Sequence, residues 1–480
     1  MERAELARLL GASRSQVSDL AYSSDASVVE ERDPVRFQAA FVAAVAGAGP
    51  VFLADPDWGA AERAQFQTLV AQRPTSNLQP STFGELPTTA REKVEVGALN
   101  FEAATDGRLQ DDAQGESHSK IQIPNSKFEL GWLCVPTGGS SGRLKLARHD
   151  QDTLLAAARG FAAHFGVTRV NALGVLPLHH VSGLMAWLRC ALTGGAYVAG
   201  DWRDIEAGAL PALPRTDDGW FLSLVPTQLQ RLLARPAAVT WLRGFRAVLV
   251  GGGPAWPALL DAAARAELPL AFTYGATETA AAAAALRPEE FRAGGRGCGR
   301  ALPHATVTVA ADGAIAIQAA SLFHGYWPDV RAPGPWASGD RGDYDGAGSL
   351  HVRGRSDALI ITGGEKVEPG EVEAALRATG EFADVAVVGV PDPEWGSAVV
   401  ACYPAERNPS GVGAPRPHGH ESEPDWARVA AGLEGLAAWK RPKRFVALTD
   451  WPRDAAGKLD RAELARLAGE LDCGPAARSG

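Results

Sequence analysis

A stretch with the residues of a phosphate-binding loop lies at 136–149 and reads PTGGSSGRLKLARH. Glycine adopts backbone angles that other side chains forbid, so the three glycines allow a tight loop whose N–H groups point in one direction. Hydroxyl groups and a lysine add donors and positive charge, which suit a phosphate. An ordinary surface loop fits the same residues, and the spacing differs from the Walker pattern G-x-x-x-x-G-K-[ST]. The candidate phosphate ligands are Thr137, Gly138, Gly139, Ser140, Ser141, Gly142 and Lys145.

Further groups of chemically useful residues follow apolar runs. The glycine loop follows GWLCV, and the other groups are His179–His180, Gly251–Gly253 and Tyr274–Gly275. Segments with helical spacing separate the runs, and this alternation predicts a doubly wound parallel α/β sheet covered on both faces. Ligands bind outside the carboxyl ends of the strands in such sheets, so we expect these groups to line one nucleotide site. The alanine run AAAAAL at 281–286 is predicted to be helical and receives no function.

Arg189 is the only charged residue between His180 and Asp201, and it lies in the apolar helical segment GLMAWLRCAL. A buried arginine without a partner costs several kcal/mol, so the side chain must reach water or meet an anion. The anion is either part of a substrate or a structural carboxylate, and the sequence leaves both readings open.

The composition narrows the class of protein. The 480 residues carry a formal net charge of -9, which argues against nucleic acid or an anionic membrane surface as the main partner. The five cysteines are scattered without a C-x-x-C pair, so neither a zinc site nor a disulfide framework is expected. Without a run of ~18 apolar residues, we expect no membrane span and a cytoplasmic protein. The oligomeric state stays open.

A second structural unit is predicted after residue 354. GRSDALIITGGEKV leads into a helix, PGEVEAALRATG, and then into two strands, a loop at 408–424, a helix and a final strand. This order predicts a small α+β domain. Residues 104–126 are predicted to be an exposed connector, and residues 471–480 a frayed tail.

Five short motifs occur in an order that resembles the adenylate-forming enzymes, a family that includes acyl-CoA and aryl-CoA ligases. TGGSSGRLK is similar to the family's phosphate loop, YGATE at 274–278 to its nucleotide-and-magnesium motif, and SGDRG at 338–342 to its ribose motif. GRSD at 354–357 resembles the hinge, and PRDAAGK at 452–458 resembles the C-terminal lysine motif. The resemblance covers at least residues 131–465.

This resemblance implies both an architecture and a reaction. A large N-terminal domain at 1–354, with doubly wound, mostly parallel sheets, would be joined by a hinge at 355–357 to a small mobile α+β lid domain at 358–470. In the family's reaction, a carboxylate attacks the α-phosphate of ATP with the help of Mg²⁺ to give an acyl-adenylate. The thiol of coenzyme A then displaces AMP.

The motifs also imply roles for individual residues. Glu278 would bind Mg²⁺, Asp340 the ribose hydroxyls, and Arg355 the ribose or a phosphate. The remaining implied residues are Lys458 at the α-phosphate, His180 beside the carboxylate, Gly252, Gly253, Tyr274, Gly275 and Thr277 around the nucleotide, Asp357 as the hinge, and Gly363 and Gly364 on the thiol route. The residues alone leave structural alternatives open, namely a helix-start glutamate, a turn aspartate, a surface arginine and a core tyrosine.

Within the family, LPLHHVSGLMAWLR, SLVPTQLQRLL and ITGGEKVEPGEVEAAL are most similar to the ligases that activate o-succinylbenzoate for menaquinone and phylloquinone synthesis. Arg189 would then hold the second carboxylate of this acid. His179 departs from the pattern, because tyrosine or phenylalanine is usual at its position. The alternatives are another aryl- or acyl-CoA ligase and a catalytically silent nucleotide-binding protein.

Overall fold

The computed structural model of the chain describes most of the predicted elements. The described residues are 2–10, 26–72, 131–138, 143–253, 255–382, 384–405, 423–452 and 459–471. Several sequence predictions fall elsewhere. Those outside the described residues are the connector at 104–126, nearly all of the loop at 408–424, the tail beyond residue 471, Gly139, Ser140, Ser141, Gly142 and Lys458.

The N-terminal part of the chain forms a four-stranded sheet in the order β1-β2-β3-β4. Its strands are β1 (Ser27–Val29), β2 (Val51–Leu53), β3 (Leu133–Gly138) and β4 (Leu144–His149). Its helices are α1 (Arg3–Leu9), α2 (Pro34–Ala46) and α3 (Ala60–Val70). The first three strands are parallel, whereas β3 and β4 are antiparallel and flank the predicted phosphate loop. Asp33 caps α2 by accepting a hydrogen bond from the Arg36 N–H, and Pro34 occupies the first turn, where its missing N–H costs nothing.

A seven-stranded sheet follows, in the order β11-β10-β9-β8-β7-β5-β6. Its strands are β5 (Ala172–Gly174), β6 (Tyr197–Ala199), β7 (Phe221–Leu224), β8 (Ala247–Val250), β9 (Leu270–Ala276), β10 (Ala281–Ala285) and β11 (Arg300–Ala301). Five consecutive strands of the sheet, in the order β9-β8-β7-β5-β6, pair with one another in parallel. Strand β10 is antiparallel to both β9 and β11. The predicted, mostly parallel α/β sheet is therefore confirmed.

Helices cover both faces of this sheet. They are α4 (Gln151–Phe165), α5 (Val181–Thr193), α6 (Trp202–Ala207), α7 (Pro226–Leu233), α8 (Pro236–Leu242), α9 (Pro257–Arg265) and α10 (Pro288–Arg292). Successive side chains of a strand point to opposite faces. Along β8, Ala247 and Leu249 therefore pack with residues of α4 and α5, while Val248 and Val250 pack with residues of α7, α8 and α9.

The alanine run was wrongly predicted to be helical. Ala281–Ala285 form strand β10, and Ala283, Ala284 and Ala285 are completely buried. The helical preference of alanine amounts to only ~0.5–1 kcal/mol per residue over other types, so pairing with β9 and burial on both faces outweigh it. Small side chains allow the neighbouring layers to approach this strand closely.

An antiparallel sheet completes the N-terminal domain, and it was not foreseen from the sequence. Its strands are β12 (Ala305–Val309), β13 (Ala314–Ala319), β14 (Trp336–Tyr344) and β15 (Leu350–Arg355). Strands β14 and β15 pair so that Asp340 lies directly opposite Arg355. The sheet thus brings two of the predicted nucleotide residues together.

The C-terminal part is a small α+β unit, as predicted. It contains β16 (Ile360–Thr362), β17 (Glu365–Val367), β18 (Ala386–Asp392), β19 (Gly396–Pro404), β20 (Arg444–Leu448), α11 (Pro369–Ala378), α12 (Trp426–Leu433) and α13 (Arg461–Glu470). Strands β18, β19 and β20 form one sheet, and α11 and α12 contribute to a core with residues of β18 and β19. Across the described part of the chain, every helix is too short or too polar to cross a bilayer.

Candidate active site

Asp340 lies in a network of hydrogen bonds at the edge of the antiparallel sheet. The Tyr274 hydroxyl donates a hydrogen bond of 2.8 Å to its Oδ2, and Nη1 of Arg355 lies 3.6 Å from its Oδ1. The Asp340 side chain keeps 19% of its surface exposed, so one side of the carboxylate can accept hydrogen bonds from a ligand. The structure therefore brings together three residues that the sequence assigned to a nucleotide.

Arg355 is held in place from two directions. Its Nε and Nη2 donate hydrogen bonds of 3.1 and 3.0 Å to the two carboxylate oxygens of Asp357, and its Nη1 donates to the Ser338 carbonyl at 2.8 Å. These contacts raise the pKa of Arg355, chiefly through the hydrogen bond to Asp357. The predicted hinge residue Asp357 thus directly contacts a predicted nucleotide residue. The Arg355 side chain keeps 45% of its surface exposed, so these contacts also fit the surface arginine that the sequence left open.

Glu278 is a buried carboxylate in the short turn Thr277–Thr279 that follows β9. Only 7% of the residue is exposed, and its Oε1 accepts a hydrogen bond of 2.6 Å from the Tyr326 hydroxyl. Burial and this carboxylate raise the pKa of Tyr326, so the hydroxyl keeps its proton and remains a donor. Within the described residues, no lysine or arginine lies at ion-pair distance from Glu278. A buried carboxylate with one neutral donor fits a cation ligand, and oxygen is the donor that Mg²⁺ prefers.

Lys145 lies close to the same tyrosine. Its Nζ is 4.9 Å from the centre of the Tyr326 ring, which gives the ammonium group a cation–π contact. Thr137 lies opposite Lys145 in the β3–β4 pairing, so both flank the glycine loop. The described part of this loop therefore places one hydroxyl and one positive charge at the base of the predicted phosphate site.

His149 fixes the turn that carries Thr277 and Glu278. Its Nε2 lies 2.8 Å from the Thr277 carbonyl, and its Nδ1 lies 3.2 Å from the hydroxyl of Thr153. The residue is completely buried, which lowers its pKa to about 4, so the ring is neutral at pH 7. This histidine ends the glycine-loop stretch, yet nothing in the sequence indicated its partner 128 positions away.

Tyr274 and Gly275 lie on β9 with clear packing roles. The Tyr274 ring lies in a hydrophobic core cluster and 9% of the residue is exposed, so its contact with the site runs through its hydroxyl. Tyr274 is therefore a core tyrosine, which is the alternative that the sequence left open, and its hydroxyl also donates a hydrogen bond to Asp340. A Cβ at Gly275 would collide with the Ala281 carbonyl of β10. Gly252 has φ +77°, a conformation that favours glycine, and a Cβ at Gly253 would meet no atom within 4 Å.

His180 immediately precedes α5 and is half-buried beside a second histidine. The rings of His179 and His180 have centroids 4.4 Å apart and are tilted by 60°. Nε2 of His179 lies 3.3 Å from Oδ2 of Asp55, which follows β2. Burial acts to raise the pKa of Asp55, but the hydrogen bond and charge of His179 outweigh it and the net shift is downward. Asp55 was not singled out from the sequence.

Arg189 is buried between α4 and α5, with 5% of the residue exposed. Its guanidinium carbon lies 4.1 Å from the centre of the Phe161 ring, and its Nε has no hydrogen-bond partner among the described residues. Burial lowers the pKa of Arg189 to about 10, so the group stays charged at pH 7. Within the described ranges, no carboxylate lies at ion-pair distance. The structural carboxylate that the sequence left open as a partner is therefore not found there.

Gly363 and Gly364 form the two-residue turn between β16 and β17. Their φ angles are +55° and +85°, which favour glycine at both positions. The Gly363 N–H donates to the Trp395 carbonyl at 2.8 Å, and a Cβ there would press on the Trp395 ring. The turn geometry alone accounts for both glycines.

Two family models match the chain. Residues 39–327 match the AMP-binding enzyme model, and residues 371–458 match the AMP-binding enzyme C-terminal domain model. The intervening segment holds Asp340, Arg355 and Asp357.

Curated relatives and solved structures point in the same direction. The chain is 30% identical over 430 residues to an indoleacetate–CoA ligase of Aromatoleum aromaticum, covering 84% of this chain and 81% of the relative. It is 36% identical over 357 residues to a probable 2-succinylbenzoate–CoA ligase of Mycobacterium tuberculosis, covering 71% and 85%. Its fold matches the o-succinylbenzoate CoA synthetase of Bacillus subtilis in complex with its acyl-adenylate intermediate, with a TM-score of 0.71 at 21% identity over 98% of this chain and 93% of that one.

The family models span both the N-terminal and the C-terminal part, and the relatives align over most of their own length. The resemblance drawn from five short motifs is confirmed at this level. The chain belongs to the AMP-binding enzyme family.

Proposed function

We propose that this protein is an AMP-forming ligase that joins o-succinylbenzoate to coenzyme A. The observation that carries the proposal is the convergence of two hydrogen-bonded groups at the end of β9. One consists of Tyr274, Asp340 and Arg355, and the other of Glu278 with Tyr326. Relatives named 2-succinylbenzoate–CoA ligase support the choice of acid.

In this proposal the nucleotide lies across the ends of β8 and β9. Asp340 accepts hydrogen bonds from the ribose hydroxyls, and Arg355 contacts the ribose or a phosphate. The residues assigned to the phosphates and the base are Thr137, Gly138, Gly139, Ser140, Ser141, Gly142, Lys145, Gly252, Gly253, Gly275 and Thr277. Phosphoryl transfer depends on positive charge and aligned donors rather than on covalent help from the protein, and these residue types supply both.

Glu278 is the proposed ligand of Mg²⁺. Its burial, its single tyrosine donor and the absence of a cationic partner in the described segments support this assignment. When bound there, Mg²⁺ would neutralise phosphate charge. The Tyr326 hydroxyl orients the carboxylate by donating to Oε1, and His149 holds the backbone of the preceding residue.

The acid is proposed to lie near the start of α5. His180 orients the carboxylate that attacks ATP, and Arg189 provides a forked, always-charged donor for the second carboxylate, directly or through water. The buried Nε of Arg189 without a partner supports a missing anion. A monocarboxylic acid would leave this guanidinium uncompensated, which gives the site a physical basis for choosing a dicarboxylic acid.

The C-terminal part is proposed to act as a mobile lid. The boundaries we propose are 1–354 for the core domain, 355–357 for the hinge and 358–470 for the lid. Lys458 would enter the site for adenylation, and rotation about Asp357 would then admit the coenzyme A thiol along Gly363 and Gly364. Two half-reactions at one site need different groups, and a rotating domain supplies them in turn.

We further propose a cytoplasmic location. Cys134, Cys190, Cys298 and Cys402 are buried free thiols, which is the usual state of cysteine in a reducing compartment.

The proposal is tested with purified protein, ATP, Mg²⁺ and coenzyme A against a panel of acids, with thioester products identified by mass. The panel contains o-succinylbenzoate, its monocarboxylate analogue, benzoate, indoleacetate and a fatty acid. We expect o-succinylbenzoyl-CoA and AMP as the main products. A different acid as the preferred substrate would make the protein another acyl- or aryl-CoA ligase. ATP binding without a product from any acid would favour a catalytically silent nucleotide-binding protein.

A further inference from the structure

We propose that Asp55, His179 and His180 form a binding site for a divalent transition-metal ion of the zinc class, separate from the Mg²⁺ ligand Glu278. One potential ligand atom from each of the three side chains lies within 4.8 Å of the other two. Among the residues that the structure describes, this is the one such group of three histidine, cysteine or acidic side chains.

The carboxylate of Asp55 is already oriented for this task. Its Oδ1 accepts a hydrogen bond of 2.8 Å from the Asp57 N–H, while its Oδ2 faces Nε2 of His179 at 3.3 Å. A hydrogen bond such as the one from Asp57 fixes the direction of a metal-binding carboxylate and strengthens metal binding. A metal ion bound here would take the place of the Asp55–His179 contact.

The chemistry of the donors selects the class of ion. Two imidazole nitrogens and one carboxylate oxygen suit Zn²⁺ and similar transition metals, whereas Mg²⁺ prefers oxygen donors only. Three protein ligands would leave one position of a tetrahedral zinc site for a non-protein ligand, and His180 is only half-buried.

The burial of Asp55 favours a bound cation at this site. Asp55 and His179 are 9% and 6% exposed, so the carboxylate charge is largely removed from water. A bound divalent cation compensates that charge more completely than a single imidazole can.

Occupation of the site would have a consequence for the reaction. His180 would coordinate the metal and would no longer be available to the acid, so zinc would inhibit adenylation reversibly. This consequence rests on the proposed role of His180, whereas the metal site itself does not.

The test measures Zn²⁺ binding to tag-free, chelator-treated protein by titration calorimetry in excess Mg²⁺. His418 and His420 lie two positions apart in the sequence, so all proteins carry His418→Ala and His420→Ala to remove a second histidine pair. We expect one equivalent of Zn²⁺ to bind. We expect His179→Phe and Asp55→Asn each to weaken binding by ~10-fold or more, since each removes a ligand.

His351→Phe is the matched control, because His351 is also paired with an aspartate, Asp345, at 3.0 Å but has no third potential ligand beside it among the residues that the structure describes. The control should bind Zn²⁺ as tightly as the parent protein. Absence of stoichiometric binding, or equal binding by His179→Phe, would overturn the site. Because Asp55→Asn preserves side-chain shape, it provides the test if His179→Phe does not fold, and circular dichroism checks both.

Co²⁺ gives a second readout, since its visible absorption intensifies when nitrogen and oxygen ligands surround it in a low-coordinate site. The parent protein should show this spectrum and Asp55→Asn should not. For each variant, the rate of pyrophosphate exchange with Zn²⁺ is then divided by its rate without Zn²⁺. Zinc binding with unchanged exchange would leave the metal site standing and would contradict the proposed role of His180 instead.

Discussion

The hydroxyl of Tyr326 donates a hydrogen bond of 2.6 Å to Oε1 of the buried Glu278. The two residues are 48 positions apart, and the Tyr326 ring also contacts the ammonium group of Lys145. One tyrosine therefore links the turn after β9 to the strand that follows the glycine loop. Both segments are proposed to serve the phosphates and the metal, so we expect this tyrosine to be a positioning residue for them.

Replacement of Tyr326 by phenylalanine should weaken the response to Mg²⁺. The carboxylate of Glu278 would lose its hydroxyl donor and its fixed orientation, and loss of such a partner costs ~10- to 100-fold in metal affinity. We expect the Mg²⁺ concentration for half-maximal pyrophosphate exchange to rise by that factor. Tyr344→Phe is the control, because the Tyr344 hydroxyl donates to a backbone carbonyl, that of Val307. An unchanged Mg²⁺ dependence would remove Tyr326 from this role.

Replacement of Asp340 by asparagine should weaken ATP binding. The amide keeps the shape and can still accept from Tyr274, but it loses the charge that faces Arg355 and a ribose. Hydrogen bonds to charged groups contribute ~1.5–3 kcal/mol, so we expect the KM for ATP to rise by ~10-fold or more. Asp343→Asn is a matched control on the same strand, since Asp343 pairs with Arg353 instead. Equal effects of both substitutions would show that Asp340 acts only through the strand.

Replacement of Arg189 by methionine should remove the preference for a dicarboxylic acid. Methionine keeps apolar contact with Phe161, so the loss is mainly that of charge and donors. We expect the KM for o-succinylbenzoate to rise ~10-fold, or ~1.4 kcal/mol, while the KM for ATP and for the monocarboxylate analogue stay within about twofold. A folded variant that still separates the two acids would take Arg189 out of the acid site.

His149 should make the protein less stable as the pH falls below 6.5. The folded-state pKa is lowered to about 4 by burial, from an ordinary value of 6.5. Between these two pH values the unfolded chain binds a proton that the folded chain does not. The contribution of His149 to the free energy of unfolding is therefore fully present above pH 6.5 and is lost as the pH falls toward 4. The loss from this residue approaches about 3 kcal/mol.

The measurement is urea unfolding at pH 7 and pH 4.5 for the wild type and for His149→Gln. Glutamine can still donate to the Thr277 carbonyl but does not titrate. The other histidines whose pKa is lowered by burial, His164 and His304, are present in both proteins, so the difference between the two isolates His149. The variant should lose roughly 2–3 kcal/mol less than the wild type over this range. Equal losses would contradict a neutral, buried His149.

The sequence predictions for the site rest on local motifs. The residue types of the glycine loop indicated Thr137, whereas Glu278 and Asp340 were predicted through the family resemblance of two motifs of a few residues each. The parallel sheet followed from the alternation of apolar runs and helical segments. These features depend on neighbours in the chain, which a sequence displays directly.

The features that the sequence did not predict depend on distant partners. Tyr326, His149 and Asp55 make their contacts with predicted site residues that lie 48 or more positions away, and no local motif indicated these partners. Strand β10 was mistaken for a helix because the helical preference of alanine is weaker than the stabilisation that strand pairing and burial provide. Tertiary packing supplies these features, and no local pattern encodes it.

The central claim is most directly tested by ATP–pyrophosphate exchange in the absence of coenzyme A. The account predicts exchange that requires both Mg²⁺ and o-succinylbenzoate, together with an o-succinylbenzoyl-adenylate detectable by mass. Exchange that is absent with this acid, in a folded protein that still binds ATP, would contradict the account.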